Sequence, residues 1–257
     1  MSKILTISGQ RGGSGKSVTA LNLAVSLSLY EKKILLVDCD PQGCVSEWSG
    51  VGAMDHPFDL AAVLNGKATT IEAISKTEFS HLDILPAGFN LFQLALKLSR
   101  LVANEKILRL LMADIREDYD YIILDAPSSY GYMSIAAMAA ADWLVVATPP
   151  QDNWVEDFHS LLKSIQYIRK THGTTLRIAG LLFNRCTDSA QIMNGMSGQL
   201  LEDTKNLIYD TTIPRDDAVD QAINKKIPLA LHDIKSGAAD GYLKAAREVI
   251  LAFNYAR

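Results

Sequence analysis

The sequence near the start of the chain reads Gly9-Gln10-Arg11-Gly12-Gly13-Ser14-Gly15-Lys16-Ser17. It fits the spacing G-x-x-x-x-G-K-[ST], in which glycines let consecutive backbone N–H groups turn inward around an anion. The N-terminus of the following helix adds partial positive charge, and the lysine adds a full one. The stretch therefore predicts a phosphate-binding loop, in which Lys16 contacts the β- and γ-phosphates and the Ser17 hydroxyl is a ligand for Mg²⁺.

The sequence on either side of this loop has the context that the motif requires. Lys3–Ser8 is a short apolar run typical of a strand, and apolar residues recur at helical spacing from Lys16 to about Tyr30. Strand and helix patterns then alternate along the chain. This alternation predicts an α/β fold of the P-loop NTPase kind, as a single domain over residues 1–257, with a mostly parallel twisted sheet and helices on both faces.

The remaining elements follow from hydrophobic periodicity and from turn residues. Further strands are predicted at Lys33–Asp38, Leu82–Pro86, Tyr121–Asp125, Trp143–Thr148, Leu176–Asn184 and Ile208–Ile213. Further helices are predicted near Leu60–Leu64, Leu91–Leu98, Glu105–Ile115, Ser134–Ala140, Val155–His172, Ser189–Thr204, Asp217–Asn224 and Gly237–Phe253.

Composition narrows the class of protein. The chain has 257 residues, of which 48% are hydrophobic and 21% charged, which is ordinary for a globular protein. No apolar run reaches the roughly 18 residues of a membrane-spanning helix, and the chain enters a strand at once, so no signal peptide is expected. Cys39, Cys44 and Cys186 form no C-x-x-C pair, which suits a reducing cytoplasm. A net charge of −4 does not favour nucleic-acid binding, although a local basic face would allow it.

Three carboxylates fall where a parallel sheet places its ligands, at the carboxyl ends of strands. Asp125 ends the apolar run Tyr121–Leu124, Asp38 ends the strand after the first helix, and Asp40 follows two residues later. Close to a phosphate loop, this set predicts a site for a metal ion and an attacking water. Cys39 lies between two of the carboxylates but is not expected to bind metal, because Mg²⁺ prefers oxygen ligands.

Four segments resemble one known family. Arg11–Ser17 is similar to the deviant phosphate loop K-G-G-x-x-K-[ST], and Asp38–Gly43 resembles the family motif D-x-D-P-Q-G. Leu124–Gly131 resembles its D-x-P-P-s-x-G switch segment, and Ile213-Pro214-Arg215 with Lys226–Leu229 resembles its closing region. The family is the ParA/MinD group of positioning ATPases, and the resemblance is closest to the short ParA type that partitions chromosomes or plasmids.

The resemblance implies a mechanism with ATP and Mg²⁺ as cofactors. ATP would drive formation of a homodimer, with the catalytic residues Lys16, Asp40 and Arg11 acting on the phosphates and on the attacking water. The ATP-binding residues would be Arg11, Gly12, Gly13, Ser14, Gly15, Lys16, Ser17 and Val18, with Asn184 and Pro214 against the adenine. The metal site would comprise Ser17, Asp38 and Asp125. For Asn184 the plain alternative is a turn residue at the end of a strand.

The resemblance also implies partners and a location. Hydrolysis would be slow until an activating partner, ParB-like or other, completes the site, so that the output is a timed switch between dimer and monomer. The ATP dimer would bind DNA weakly and without sequence preference, in the cytoplasm and on the nucleoid. The cargo would be a chromosome, a plasmid or a protein assembly.

Two features depart from the family pattern. The signature lysine of the phosphate loop is Arg11 here, which keeps the charge and adds a planar fork of donors. The region from Leu176 to Arg257 has ten Lys or Arg residues balanced by ten Asp or Glu residues. Any DNA contact must therefore come from residues that cluster in space, for which the candidates are Lys225 and Lys226, or Lys163, Arg169, Lys170 and Arg177. The plain alternative for these cations is solvated helix faces.

Several alternatives remain open. A MinD-like ATPase would bind membranes through a basic amphipathic C-terminal helix, but the sequence ends Ala252-Phe253-Asn254-Tyr255-Ala256-Arg257, so no stable membrane binding is expected. A redox protein like the nitrogenase iron protein is rejected, because it would need cysteines to share a cluster across a dimer and none lies near the Asp125 segment in the sequence. A ligase of the dethiobiotin synthetase type would share the fold but not the D-x-D-P-Q-G element. A scaffold that holds ATP with little hydrolysis is the remaining alternative.

Overall fold

A sheet of mostly parallel strands crosses the protein. The computed structural model describes residues 2–9, 12–51, 56–101, 104–128, 131–150, 154–186, 192 and 204–255. Within these ranges seven strands form one sheet, in the order β3-β4-β2-β5-β1-β6-β7. The strands are β1 Lys3–Ser8, β2 Ile34–Asp38, β3 Ser75–Lys76, β4 Leu82–Leu85, β5 Tyr121–Asp125, β6 Trp143–Thr148 and β7 Arg177–Phe183. Only the edge strand β3 pairs antiparallel, with β4. The predicted fold class is confirmed.

Helices cover both faces of this sheet, and the sheet separates two hydrophobic cores. The helices of the described ranges are α1 Lys16–Leu29, α2 Cys44–Trp48, α3 Leu60–Leu64, α4 Thr70–Ala73, α5 Leu91–Leu98, α6 Ile107–Ala113, α7 Tyr132–Ala140, α8 Trp154–His172, α9 Asp217–Asn224, α10 Leu229–Asp233 and α11 Gly237–Tyr255. Successive side chains of a strand point to opposite faces, so Ile122 and Leu124 of β5 join one core, whereas Tyr121 and Ile123 join the other. Both faces are buried, which explains why the central strands are continuously apolar.

Strand register brings the predicted carboxylates together. In the β2–β5 pair, Asp38 lies opposite Asp125, and in the β1–β5 pair Ile7 lies opposite the same Asp125. The carboxyl ends of β1, β2 and β5 therefore align at one edge of the sheet. The loop that follows β1 and begins α1 lies at this edge as well.

Most predicted elements are confirmed within one or two residues, because long apolar runs and long amphipathic repeats dominate them. The helix predicted at Glu105–Ile115 begins instead with a 3₁₀ turn at Asn104–Lys106 and continues as α6. The sequence does not predict the short elements α2, α4, α10 and β3, since two to five residues show no clear period. The helix predicted at Ser189–Thr204 lies mostly outside the described residues. No helix in the described ranges is both long and apolar enough to cross a bilayer.

The prediction of a strand at Ile208–Ile213 is wrong. Only isolated parallel bridges occur there, Ile208 with Leu181 and Ile213 with Asn184. Between them the backbone N–H groups of Asp210 and Thr211 donate to the Glu248 carboxylate, each at 2.9 Å. The N–H groups of Tyr209 and Ile213 still donate to the carbonyls of Leu181 and Phe183 in β7. The Thr211 N–H between them donates to the Glu248 side chain of α11 instead, so the ladder is interrupted and no strand forms.

Candidate active site

The phosphate loop depends on glycine at two positions. A Cβ on Gly9 would lie 2.4 Å from the Ala147 carbonyl oxygen, and one on Gly15 would lie 2.7 Å from the Asn184 side chain. Gly15 also has a φ of 85°, in the left-handed region that favours glycine. It precedes α1 without a side-chain cap, and the first turn of α1 has no acidic residue. The N-terminal amides of α1 are therefore not capped by a side chain, as an anion site requires.

Lys16 brings a positive charge into this edge of the sheet. Its side chain is buried, and Nζ donates to the Ser14 hydroxyl at 3.2 Å. Burial lowers the pKa of Lys16, while the nearby charges of Asp125 and Asp40 raise it. A buried ammonium beside two carboxylates is therefore the main local cation among the described residues of the loop.

Asp125 is a buried carboxylate whose hydrogen-bonding capacity is unused. It is 0% exposed, and neither carboxylate oxygen has a hydrogen-bond partner among the described residues. Burial raises the pKa of Asp125 well above its ordinary value, and the charge of Asp38 raises it further. The Ser17 hydroxyl and Lys16 lower the pKa of Asp125, so both lie near the carboxylate, although neither makes a regular hydrogen bond to it. Buried unpaired oxygens of this kind call for a cation or water.

Asp38 is equally buried, but the chain itself satisfies it. Oδ1 accepts the Asp40 N–H at 3.1 Å, and Oδ2 accepts the Ser46 N–H at 2.8 Å and the Ser46 hydroxyl at 2.6 Å. Burial raises the pKa of Asp38 to about 6 despite these donors. A carboxylate offers about four acceptor positions, so roughly one remains for a ligand or water.

Asp40 lies in the half-buried loop between β2 and α2. Its Oδ1 accepts the Gln42 N–H at 3.0 Å, and its carbonyl accepts the Gly43 N–H at 2.9 Å. Its charge is felt by both Lys16 and Asp125. Within the described ranges, no three His, Cys, Asp or Glu side chains are placed to hold a metal alone. The carboxylates therefore suit an ion such as Mg²⁺, which keeps several waters and shares phosphate oxygens.

A cavity of about 270 Å³ adjoins the phosphate loop. It is lined by Gly15, Val18, Asn184, Arg185, Ile213, Pro214, Arg215, Asp216, Val219, Asp220, Ile223 and Tyr242. Asn184 connects the cavity to the loop, because its Nδ2 donates to the Ser14 carbonyl and to the Thr19 hydroxyl, both at 3.1 Å. Its Oδ1 has no partner among the described residues.

The structure brings together most residues that the sequence singled out. Lys16, Ser17, Asp38, Asp40 and Asp125 share the edge described above, and Val18, Asn184 and Pro214 share the cavity. Gly12 and Gly13 are exposed, with open space around them. Arg11 lies outside the described residues.

Sequence reasoning missed two contributors to this region. Ser46 was not predicted, because a lone serine in a short helix gives no signal. The start of α9 was not predicted as part of the cavity either. Asp216 caps this helix by accepting the Ala218 N–H at 3.0 Å, and its other oxygen accepts the Ala238 N–H at the same distance. Its position directly after Ile213-Pro214-Arg215 could have pointed to it.

Comparisons with known proteins agree with this geometry. A family model described as an AAA domain matches residues 2–178. The chain is 32% identical over 254 residues to the chromosome partitioning protein ParA of Caulobacter vibrioides, covering 96% of this chain and 94% of that protein. It is 31% identical over 253 residues to the sporulation initiation inhibitor protein Soj of Bacillus subtilis, covering 97% and 98%.

A solved structure gives the same result for the fold. The septum site-determining protein MinD of Pyrococcus horikoshii, complexed with Mg-ADP, matches with a TM-score of 0.77 and 25% identity, covering 97% of this chain and 96% of that one. The resemblance read from the motifs is thereby confirmed. With the phosphate loop at the start of α1 and the sheet order described above, the chain belongs to the ParA/MinD family of ATPases and has the P-loop NTPase fold.

Proposed function

We propose that this protein is an ATP-driven switch that positions a cargo, alternating between an ATP-bound homodimer and a monomer. The observation that carries the proposal is the buried Lys16 charge beside the unpaired Asp125 carboxylate, at the start of a helix whose N-terminus carries no side-chain cap. Residues 1–257 act as one domain in this proposal. Its location in this proposal is the cytoplasm, a reducing compartment that suits the three cysteine thiols.

ATP with Mg²⁺ fits the residues present. Asp125 offers two buried oxygens without a partner, Ser17 offers a hydroxyl, and Asp38 keeps about one acceptor position, which together form the oxygen donor set that Mg²⁺ prefers. When bound, Mg²⁺ neutralises charge on the β- and γ-phosphates. The relative MinD from Pyrococcus horikoshii was solved with Mg-ADP, which supports the same cofactor class here.

Different residues bind the phosphates, the adenosine and the attacking water in this proposal. Gly12 to Val18 surround the phosphates with backbone N–H groups, and Lys16 binds the phosphate oxygens. Asp40 orients the attacking water, since its carboxylate is half-exposed at the mouth of the site and close to Lys16. Asn184 and Pro214 hold the adenosine part in the cavity. Arg11 reaches the phosphates of the partner subunit and stabilises charge as the γ-phosphate leaves.

An activating partner, ParB-like or other, accelerates hydrolysis. DNA, bound without sequence preference, serves as the matrix, which is the surface along which the ATP dimer is distributed. Of the candidate cations, four already have contacts of their own. Lys226 pairs with Glu47 at 2.5 Å, Lys225 contacts His232 at 3.3 Å, Arg169 donates to the Leu176 carbonyl, and Arg177 lies over the Trp143 ring.

Two lysines of α8 are better placed for DNA. Lys163 and Lys170 are both exposed and stand two helical turns apart, with Tyr167 between them on the same face. Neither lysine forms an ion pair with another described residue. Two such weak patches on one dimer would strengthen binding by avidity.

Lys16→Ala should abolish measurable Mg-ATP binding without unfolding the protein. Losing one charged hydrogen bond costs about 1.5–3 kcal/mol, or at least a tenfold loss of affinity, and losing the charge costs more. The nucleotide-free variant should be as stable as the parent, since burial of the ammonium is unfavourable. Calorimetry measures the affinity and thermal unfolding measures the stability. The control is Lys76→Ala, which removes an exposed lysine that is remote from the loop and pairs with the buried Asp83. Unchanged affinity in Lys16→Ala would refute the assignment.

Asp40→Ala should retain ATP binding and lose hydrolysis by roughly 10²–10⁴-fold, because the carboxylate acts on the water. Asp40→Asn is the sharper variant, since it keeps an oxygen to accept the Gln42 N–H and so preserves the loop. Both variants should accumulate as ATP dimers in light scattering. Normal turnover in Asp40→Asn, or a monomer with ATP bound, contradicts the role given to Asp40.

Asp125→Asn should stabilise the nucleotide-free protein while weakening Mg²⁺-dependent ATP binding. Burial raises the pKa of Asp125 well above its ordinary value of 3.8, so the folded state favours the neutral carboxyl. Stability that this neutral form contributes is therefore lost as the pH rises above 3.8 through the folded pKa. Asn carries no charge at any pH, so the variant does not lose this stability. At about pH 8 its melting temperature should exceed that of the parent by roughly 2–4 °C for each kcal/mol gained in the free energy of unfolding. The difference should shrink in acid.

The control for this experiment is Asp83→Asn. Asp83 is also buried, but it accepts from Lys76 at 2.8 Å and from the Tyr119 hydroxyl at 2.9 Å, so its replacement should destabilise. Equal destabilisation by both variants would mean that Asp125 has a structural partner and is not kept free for a cation.

Duplex DNA should bind the ATP-bound protein at low salt, with an affinity that falls steeply as salt rises, because binding to the DNA phosphates releases counterions. Lys163→Ala with Lys170→Ala should weaken binding for all sequences and lower the slope of log K against log salt by about 1 for each phosphate that is no longer neutralised. Lys225→Ala is the matched control. The absence of a gel shift with any duplex would point to a protein surface as the matrix instead.

A further inference from the structure

Ser46 lies beneath the proposed catalytic loop and contacts two segments at once. It is the third residue of α2, and its side chain is buried. Its hydroxyl contacts Asp38 Oδ2 at 2.6 Å and the Ala87 backbone nitrogen at 3.1 Å. The backbone N–H of Ser46 donates separately to the same Asp38 oxygen at 2.8 Å.

These contacts fix the direction of the hydroxyl proton. An amide N–H can only donate, so the Ser46 oxygen must accept from Ala87. The single hydroxyl proton is then left for the Asp38 carboxylate, which can only accept when ionised. Ser46 therefore fixes the rotation of the Asp38 carboxylate about the side-chain bond.

The orientation of Asp38 is transmitted to Asp40. The other oxygen of Asp38 accepts the Asp40 N–H at 3.1 Å, so the Asp38 carboxylate anchors the start of this loop. The segment around Ala87 is held by contacts to the start of α3. The Pro86 carbonyl accepts the Leu60 N–H at 2.8 Å, and a Cβ on Gly88 would lie 2.2 Å from the Asp59 side chain. A continuous series of hydrogen bonds thus runs from the Ala87 backbone through Ser46 and Asp38 to Asp40.

We propose that Ser46 is a positioning residue for hydrolysis, which acts through Asp38 to hold the Asp40 loop in place for attack on ATP. The inference rests on the proposed function, in which Asp40 orients the water. Ser46 touches neither the phosphates nor the water in this proposal. Loss of its hydroxyl therefore slows the chemical step while ATP binding survives.

A purely structural role for Ser46 gives a different result. α2 is followed by a matched serine for comparison, since Ser49 is also buried and its hydroxyl donates at 2.8 Å, but to the Ser46 carbonyl alone. Ser46→Ala and Ser49→Ala each remove one buried hydroxyl, from the middle of α2 and from the residue directly after it. Ser46→Ala keeps the hydrogen bond from the backbone N–H of residue 46 to Asp38, so α2 remains hydrogen-bonded to the end of β2.

The experiment compares Ser46→Ala, Ser46→Thr and Ser49→Ala in the full chain. The readouts are the Kd for Mg-ATP by calorimetry, single-turnover hydrolysis, the oligomeric state with ATP by light scattering, and thermal unfolding without nucleotide. Ser46→Ala should hydrolyse ATP about 10- to 100-fold more slowly, the usual loss when a supporting hydrogen bond or an alignment is removed. Its Kd should be unchanged, and it should accumulate as an ATP dimer.

The two other variants separate positioning from stability. Ser46→Thr keeps the hydroxyl and should restore hydrolysis, whereas Ser49→Ala should hydrolyse at the parent rate even if both alanine variants melt at lower temperature. Should Ser46→Ala fail to fold, Ser46→Cys replaces it, because a thiol is a weak donor of nearly the same shape. Slow hydrolysis by the cysteine variant beside normal hydrolysis by the threonine variant supports the proposal.

Two results overturn it. Hydrolysis by Ser46→Ala or Ser46→Cys at the parent rate shows that the hydroxyl does not position the loop. Equal slowing by Ser46→Ala and Ser49→Ala, in proportion to lost stability, shows a structural role only. In both cases the parent protein still binds and hydrolyses ATP, so the proposed function stands. A parent protein that does neither overturns the proposed function and this inference with it.

Discussion

Two buried carboxylates in register on adjacent strands constrain the rest of this structure. Asp38 and Asp125 end β2 and β5 side by side, both with 0% exposure, and burial raises the pKa of each. Like charges at this spacing in a dry edge of the sheet are unfavourable unless cations or donors surround them. The buried Lys16 ammonium and the hydrogen-bond donors around Asp38 partly offset this cost. The oxygens of Asp125 remain without a donor among the described residues.

The chain resolves the constraint differently for the two residues. Three donors from the following loop and helix satisfy Asp38, which makes it part of the framework that shapes residues 38–46. Asp125 receives no regular hydrogen bond from any described residue, so its satisfaction depends on something that binds. Asp38 thus serves the fold and keeps about one acceptor position for a ligand, whereas both oxygens of Asp125 are left for a ligand.

The sequence predicted what depends on local pattern or on motif spacing. Strands such as Tyr121–Asp125 are buried on both faces and are apolar throughout, and strand ends bring Asp38 and Asp125 together in any parallel sheet. What failed depends on contacts distant in sequence. The segment Ile208–Ile213 looks like a strand until Glu248, 38 residues from Asp210, binds its backbone. The role of Ser46 likewise depends on a hydrogen bond from the Ala87 N–H, 41 residues away, which directs the Ser46 hydroxyl proton to Asp38.

The same physics explains why a switch can operate here. A site that leaves Asp125 unpaired is less stable empty than filled, so any cation and nucleotide that complete it stabilise the folded chain by mass action. That stabilisation is not confined to the phosphates, because Asp38 couples the edge of the sheet to the Asp40 loop and, through Ser46, to the segment after β4. Occupancy of one buried site can therefore bias the position of exposed loops on both sides of it. A surface formed by such loops can exist in one nucleotide state and be absent in the other, which is what a reversible assembly requires.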